Sequence, residues 1–213
     1  MIDHPEAIAP TTSEPFAVKT LYTVEDFDEI RAMPDNEDRL LELIHGEIAE
    51  KMPNEIHGEI AAWISSVLTQ FVYPRKLGRV GVEVSHRPII GQYNDRMPDV
   101  SFRAAGQPLV THGSVPGMPD LAVEIKSPRN SLESLREKAQ FYLQNGSRMV
   151  WLVHPMQRQI ELCVLSKEAR ATMIVRLLDV EDTLGGGEVL PGFSVKVSEL
   201  FPPALEEPEA NKA

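Results

Sequence analysis

The sequence of 213 residues predicts a mixed α/β fold of the α+β kind, with a central mixed β-sheet flanked by helices. Residues 55–73 and the segment after Asn130 carry apolar side chains at helical spacing. Several shorter apolar runs have strand length, and Leu121–Ile125 is nearly continuous, which is typical of a strand covered on both faces. Strands and helices alternate too rarely for a doubly wound fold, so one sheet is expected.

The remaining elements follow from local signals. Thr23 is predicted to cap a short helix that ends near Met33. His45-Gly46 separates the runs 39–44 and 47–51, which predicts a β-hairpin. Further strands are predicted at 80–85, 99–103, 149–153, 159–165, 172–177 and 193–197.

The last long helix is predicted to begin at Asn130, with Glu133 as its capping-box partner, and to end at Asn145-Gly146. The segment 104–118, which contains several glycines and prolines, is predicted to be a loop.

Composition divides the chain into a flexible N-terminal arm (1–20), a single domain (21–201) and a disordered acidic tail (202–213). The one cysteine, Cys163, cannot form an internal disulfide, so a reducing cytoplasm is the expected compartment. No apolar run reaches the roughly 18 residues of a membrane span, so no association with a membrane is expected.

The charge is unevenly distributed along the chain. A net charge of -11 argues against a nucleic-acid-binding protein as a whole. The segment 125–160 is different, because its basic side chains outnumber the acidic pair Glu133 and Glu137. A local field matters more to an anionic ligand than the net charge does, so this segment is either a solvated basic face or an anion-binding one. Its basic residues are Lys126, Arg129, Arg136, Lys138, Arg148 and Arg158.

Charged side chains of a catalytic kind concentrate on two predicted strands. Asp99 begins one of them, and Glu124 and Lys126 lie near the end of another. Because side chains alternate along a strand, Glu124 and Lys126 point to one face, roughly 7 Å apart. Charged groups on a buried strand need a partner, and here it is either an ion pair at the sheet edge or a metal.

Phosphodiester hydrolysis is one chemistry that uses such a set. Carboxylates such as Asp99 and Glu124 on adjacent strands suit Mg²⁺ or Mn²⁺, which activates a bound water and neutralises charge on the phosphate. A nearby lysine stabilises the developing anion.

Several stretches between about residues 40 and 165 together match one known family. They are Leu41–Glu47, His57-Gly58, Pro98–Phe102, Pro119–Pro128, Glu137-Lys138 through Tyr142, Gly146 and Trp151–Pro155. In these stretches the chain resembles the Uma2 (DUF820) family of restriction endonucleases, a branch of the PD-(D/E)XK nuclease superfamily. The resemblance implies a restriction-endonuclease-like core over 21–201, a divalent metal and DNA as the substrate.

The resemblance also assigns roles within the site. It implies Asp99 and Glu124 as metal ligands and Lys126 as the catalytic lysine. Many members of the family carry an apolar residue at the position of Lys126 and keep a helix lysine that matches Lys138. Lys138 is therefore the alternative catalytic lysine, and the sequence leaves the choice open.

Three further residues have a functional and a structural interpretation. Glu47, in the second hairpin run, is either another metal ligand or a solvent-facing side chain. His57 lies within the apolar arc of its helix, where a hydrogen-bonded core histidine is the commoner case, and otherwise supports the site. Asp120 is about 13 Å along the strand from Glu124, too far to share one ion, so a hydrogen-bonding role is expected.

The predicted helix after Asn130 adds three residues. Tyr142 lies one helical turn after Lys138, and its ring is expected in the core with the hydroxyl at the rim. Arg129 and Arg136 are candidate phosphate contacts, unless they only form a solvated helix start.

Two functions from different classes remain. The first is a Mg²⁺- or Mn²⁺-dependent endonuclease that cleaves DNA, as a homodimer with one site for each strand. The second is a catalytically inactive nuclease-fold protein that serves as a nucleic-acid-binding or interaction module.

Overall fold

The computed structural model describes residues 21–128, 130–169 and 171–203. The predicted arm 1–20 and most of the predicted tail lie outside these residues. Within the described part, no helix is long and apolar enough to cross a membrane. The helices are α1 Val24–Arg31, α2 Glu55–Val72 and α3 Leu132–Gln144, with short 3-10 turns at Pro34–Asn36 and Val197–Leu200.

The predicted mixed fold is confirmed. The strands of the described residues are β1 Leu41–Ile44, β2 Glu47–Glu50, β3 Gly78–Val82, β4 His86–Arg87, β5 Val100–Ala104, β6 Val115–Pro116, β7 Leu121–Ile125, β8 Met149–His154, β9 Gln159–Leu165, β10 Met173–Leu178, β11 Thr183–Gly185 and β12 Ser194–Lys196. The central sheet has six of these strands in the order β10-β9-β8-β7-β5-β3; β7 and β8 run parallel, and the other neighbours are antiparallel.

One helix covers each face of the sheet. The apolar stripe of α2, including Ile64 and Leu68, packs on the face that contains Val123. The stripe of α3, including Leu135, packs on the opposite face, which contains Ala122. Strand β7 is therefore buried on both sides, as its continuous apolar sequence predicts.

The hairpin β1–β2 turns at His45-Gly46, where both residues have positive φ (52° and 82°). Two-residue hairpin turns need this conformation, which glycine adopts without strain. The hairpin is fixed to the rest of the fold by Leu43, whose backbone N–H and carbonyl pair with Asp95 at 2.8 and 2.9 Å. This pairing holds β1 against the segment that leads into β5.

Two local predictions were wrong, the cap of α3 and the end of one strand. Ser131, not Asn130, caps α3 and accepts the backbone N–H of Ser134 at 3.0 Å. The side-chain oxygen of Asn130 instead accepts the hydroxyl of Ser127, which closes the turn after β7. The strand predicted at 80–85 ends at Val82, because the next residue has a φ of 51° and leaves the extended conformation.

The predicted loop 104–118 also contains β6, which pairs in parallel with β4. The N-cap predicted at Thr23 is confirmed. Its hydroxyl accepts the backbone N–H of Asp26 while the carboxylate of Asp26 accepts the backbone N–H of Thr23.

We expect the free energy of unfolding to fall by up to about 3 kcal/mol as the pH drops from 6.5 to 4 because of His86. Burial lowers the pKa of this histidine to about 4, although Nδ1 lies 3.1 Å from the carbonyl oxygen of Gly117. The unfolded chain binds a proton near pH 6.5 and the folded chain does not, so acid favours unfolding. Urea titrations between pH 7 and 4 measure this loss.

His86→Gln is the matched variant, because it removes the titrating group and keeps a polar side chain. Its free energy of unfolding is expected to depend less on pH than that of the wild type. The same pH dependence in both proteins would assign the acid lability to another group.

Candidate functional site

A cleft of about 230 Å³ lies between the hairpin, the start of α2, the ends of β5 and β7, and α3. Three carboxylates that are almost completely buried line it, together with two lysines. They are Glu42, Asp99 and Glu124, with Lys51 and Lys138. These charged groups lie close together in the cleft, and each is stabilised by the opposite charges beside it.

Asp99 lies one residue before β5. The register that pairs Val100 with Val123 places it beside Glu124 of β7. Its Oδ2 accepts the backbone N–H of Ile125 at 2.6 Å and lies 3.1 Å from Nε2 of His57, while Oδ1 is paired with the ammonium of Lys51. Burial raises the pKa of Asp99, but the hydrogen bond from His57 and the charge of Lys51 outweigh it, so the pKa lies well below its ordinary value.

Glu124 is held by two side chains of α3. Its Oε2 accepts from Nζ of Lys138 at 3.1 Å, and its Oε1 accepts from the Tyr142 hydroxyl at 2.7 Å. The two donors are four residues apart on the helix and so project from the same side. Burial raises the pKa of Glu124, and the negative charges of Asp99 and Glu42 add to this effect against the charge of Lys138.

Burial also raises the pKa of Tyr142 well above its ordinary value, and the charges of Glu124 and Glu42 raise it further. The phenol therefore stays protonated at neutral pH and acts as a hydrogen-bond donor. The pKa of Lys138 is raised: burial lowers it, but the facing carboxylates of Glu124, Glu42 and Asp99 outweigh burial. Lys138 thus presents a positive charge to the buried carboxylates, and Tyr142 presents a hydrogen-bond donor.

Glu42 and Lys51 are cleft residues that sequence reasoning did not select. Glu42 lies within β1; its Oε1 accepts the backbone N–H of Met97 at 3.0 Å, and its Oε2 lies 3.5 Å from Nζ of Lys138. Lys51 follows β2, and its Nζ donates to the carbonyl oxygen of Met97 at 2.9 Å. The available signal was an acid between two leucines on a short buried strand, where a charge needs a partner.

The two candidate lysines lie in different places. Lys138 lines the cleft and contacts Glu124, whereas Lys126 is not among the described residues that line it. The register of β7 and β8 places Lys126 beside His154. Burial lowers the pKa of His154, and the charge of Lys126 lowers it further, against Glu161. Lys138, not Lys126, is thus the predicted lysine that the fold brings to the acids.

Three other residues predicted for the site, Glu47, Asp120 and Arg136, are not among the described residues that line the cleft. Glu47 is exposed at the turn end of β2 and is not among the described residues that line the cleft. Asp120 accepts the backbone N–H of Ala104 at 2.8 Å, at the start of β7. Arg136 forms a two-pronged ion pair with Glu161, at 2.8 and 2.9 Å. Arg129 lies outside the described residues.

The donor chemistry of the cleft suits a hard divalent cation. Mg²⁺ is commonly held by one or two carboxylates and several waters, and Asp99 and Glu124 supply two carboxylates on adjacent strands. In the part of the chain that the structure describes, no three His, Cys, Asp or Glu side chains form a ready metal cluster. The residues therefore fit an ion with two carboxylate ligands, at a place where lysine ammonium groups now neutralise those carboxylates.

A mixed sheet with paired acids at the ends of adjacent central strands defines a nuclease-like fold with a carboxylate cleft. The family model for Uma2, described as "Putative restriction endonuclease", matches residues 24–198. The match covers most of the chain, so the protein belongs to the Uma2 family.

A solved structure has a similar fold. It is a crystal structure of a "putative nuclease belonging to DUF820" from Anabaena variabilis, with 22% sequence identity and a TM-score of 0.68. The match covers 84% of this chain and 97% of the other. No curated protein matches the chain significantly.

Replacing Lys138 by methionine is expected to destabilise the protein by about 3 kcal/mol at pH 7, because it leaves Glu124 and Glu42 buried without their shared cation. Because burial raises the pKa of Glu124, the deficit is expected to shrink toward pH 5 as Glu124 takes up a proton. Urea unfolding followed by tryptophan fluorescence measures both effects. The matched control is Lys126→Met, which removes a lysine outside the cleft and is expected to change stability by less than about 0.5 kcal/mol. Equal losses in the two variants would contradict a shared charge cluster.

Proposed function

We propose that the protein is a divalent-metal-dependent endodeoxyribonuclease that hydrolyses phosphodiester bonds in DNA. One observation carries the proposal: Asp99, one residue before β5, and Glu124 of the adjacent strand β7 both reach one cleft. There Lys51 and Lys138 form ion pairs with them, and the N–H of Ile125 and the hydroxyl of Tyr142 donate hydrogen bonds to them. Membership of a family described as restriction endonucleases supports it.

Asp99 and Glu124 would hold Mg²⁺ or Mn²⁺. When bound, such an ion lowers the pKa of a coordinated water and neutralises charge on the phosphate. Glu42, in the same cleft, adds negative charge that favours a cation. Glu47 is left out of the proposed ligand set, because it lies at the exposed turn end of β2.

The remaining residues orient these acids and meet the substrate. The N–H of Ile125 and the ring of His57 fix the Asp99 carboxylate, and the Tyr142 hydroxyl fixes that of Glu124. Lys138, 21% exposed at its side chain, is the proposed catalytic lysine, because its ammonium borders the cleft and can meet a phosphate oxygen.

Arg136 was predicted to contact phosphate. It is less suited to that role than predicted, because its guanidinium already forms an ion pair with Glu161. Asp120 is proposed only as the hydrogen-bond acceptor that joins β7 to β5.

We also propose a cytoplasmic homodimer, which would present one cleft to each strand of duplex DNA. Sedimentation equilibrium tests the dimer, and a monomer at micromolar concentration would rule it out.

Nicking of supercoiled plasmid tests the proposed activity. The wild type is expected to nick in Mg²⁺ or Mn²⁺ and to stop in EDTA. Asp99→Asn and Glu124→Gln are each expected to lower the rate by about 100-fold or more, because each removes a charge from the metal site. Glu137→Gln, an exposed change on α3, is the matched control and is expected to nick like the wild type. Undiminished nicking by both cleft variants would point to a contaminating nuclease.

A second function is favoured by one specific observation. Every oxygen of Asp99 and Glu124 accepts a hydrogen bond from the protein itself, so the acids are satisfied without metal. An inactive nuclease-fold protein that binds nucleic acid or another protein would have such a site. Calorimetry with Mn²⁺ distinguishes the two, because the inactive module would show no Mn²⁺ binding near neutral pH.

A further inference from the structure

Lys51 is a cleft residue whose role the proposed nuclease reaction leaves unassigned. It follows β2, and its side chain is only 11% exposed. Its ammonium donates to the backbone carbonyl of Met97 at 2.9 Å and is paired with Oδ1 of Asp99. The carbonyl holds the ammonium at the edge of the cleft independently of Asp99.

The two oxygens of Asp99 differ in how firmly their partners are fixed. Oδ2 accepts the N–H of Ile125, which belongs to the buried strand β7 and cannot move without breaking the sheet. Oδ1 is paired with Lys51, a point charge on a flexible four-carbon stem. If a divalent ion is to bind Asp99, Oδ1 is therefore the oxygen that can be released.

The partners of Glu124 are arranged differently. Lys138 lies between two carboxylates, those of Glu124 and Glu42, at 3.1 and 3.5 Å. Losing one of them leaves its charge neutralised by the other. Lys51 has direct ion-pair contact with one carboxylate and otherwise with a neutral carbonyl. Lys51 is therefore held by fewer ion pairs than Lys138 is.

A structural ion pair in the same molecule shows the contrast. Arg136 meets Glu161 through two parallel hydrogen bonds of 2.8 and 2.9 Å, the fork geometry of a pair that fixes an orientation. Lys51 instead approaches Asp99 with one donor, inside the cleft. This geometry suits a cation that exchanges.

We propose that Lys51 is an exchangeable counter-ion of the cleft: its ammonium neutralises Asp99 while no divalent ion is bound and leaves Oδ1 when one binds. The inference rests on the proposed metal site. After the exchange, the ammonium remains at the cleft edge on the Met97 carbonyl, where a DNA phosphate replaces Asp99 as its anionic partner. Lys51 thus links metal binding to the presentation of a cation to the substrate.

Lys51→Met tests the exchange by calorimetry with Mn²⁺ in the absence of DNA. Since the ion no longer competes with an ammonium, the variant is expected to bind Mn²⁺ at least about tenfold more tightly than the wild type. Without metal, its melting temperature is expected to be lower than that of the wild type, and Mn²⁺ is expected to raise it by more.

Two controls isolate the charge of Lys51. Lys51→Arg keeps the charge and is expected to bind Mn²⁺ with nearly the affinity of the wild type. Lys126→Met removes a lysine outside the cleft and is expected to leave the affinity unchanged. A merely structural ion pair would give Lys51→Met a lower stability in both states and no gain in affinity.

The outcomes separate this inference from the proposed function. Mn²⁺ binding by the wild type with no tighter binding by Lys51→Met overturns the inference and leaves the metal site standing. No Mn²⁺ binding by either protein overturns both. Binding by Lys51→Met alone overturns the exchange, because it shows an ammonium that occupies the site of the wild type and does not leave.

A second measurement covers the case in which Lys51→Met does not fold. Wild-type protein is reductively methylated with ¹³C, and the Lys51 signal is assigned by its absence in Lys51→Arg. Addition of Mg²⁺ is expected to shift this signal while that of Lys126 stays in place. A Lys51 signal that does not respond to saturating Mg²⁺ overturns the exchange.

Discussion

The burial of carboxylate charge beside lysine ammonium groups is the constraint on which the site depends. Asp99 and Glu124 are each about 2–3% exposed at the side chain, and an isolated carboxylate at such depth would take up a proton instead of remaining ionised. Lys51 and Lys138 offset part of that cost, and the backbone of β7 and the hydroxyl of Tyr142 complete the hydrogen bonding. The cleft therefore keeps these carboxylates buried only together with the lysines beside them.

The fold assembles the site from the central strands, α3 and the hairpin. The central strands bring the two acids together, α3 contributes Lys138 and Tyr142, and the hairpin contributes Glu42 and Lys51. The hairpin is therefore part of the site, although it lies outside the central sheet. Its pairing with the segment around Asp95 fixes it in place, so the position of two charged cleft residues depends on that contact.

Predictions succeeded where the signal was local. The bounds predicted for β7 and β9 are confirmed, those of β7 from a nearly continuous apolar run, and the cap at Thr23 follows from a side chain three residues before its partner. The cap predicted at Asn130 was wrong because a second local partner, Ser127, competes for the same side chain. Local patterns with two satisfactory solutions are decided by the surrounding structure.

The sequence by itself determined the mixed fold, the strand that carries Glu124 and the strand that Asp99 immediately precedes. It also determined the face on which Glu124 lies, because side-chain alternation is a property of the strand. Only the tertiary structure decided which lysines serve these acids. Lys126 follows the end of β7, beside His154, whereas Lys138 on α3 and Lys51 after the hairpin reach the cleft. The packing of α3 and the docking of the hairpin are contacts between residues far apart in the sequence. The spacing of residues along the chain does not predict such contacts.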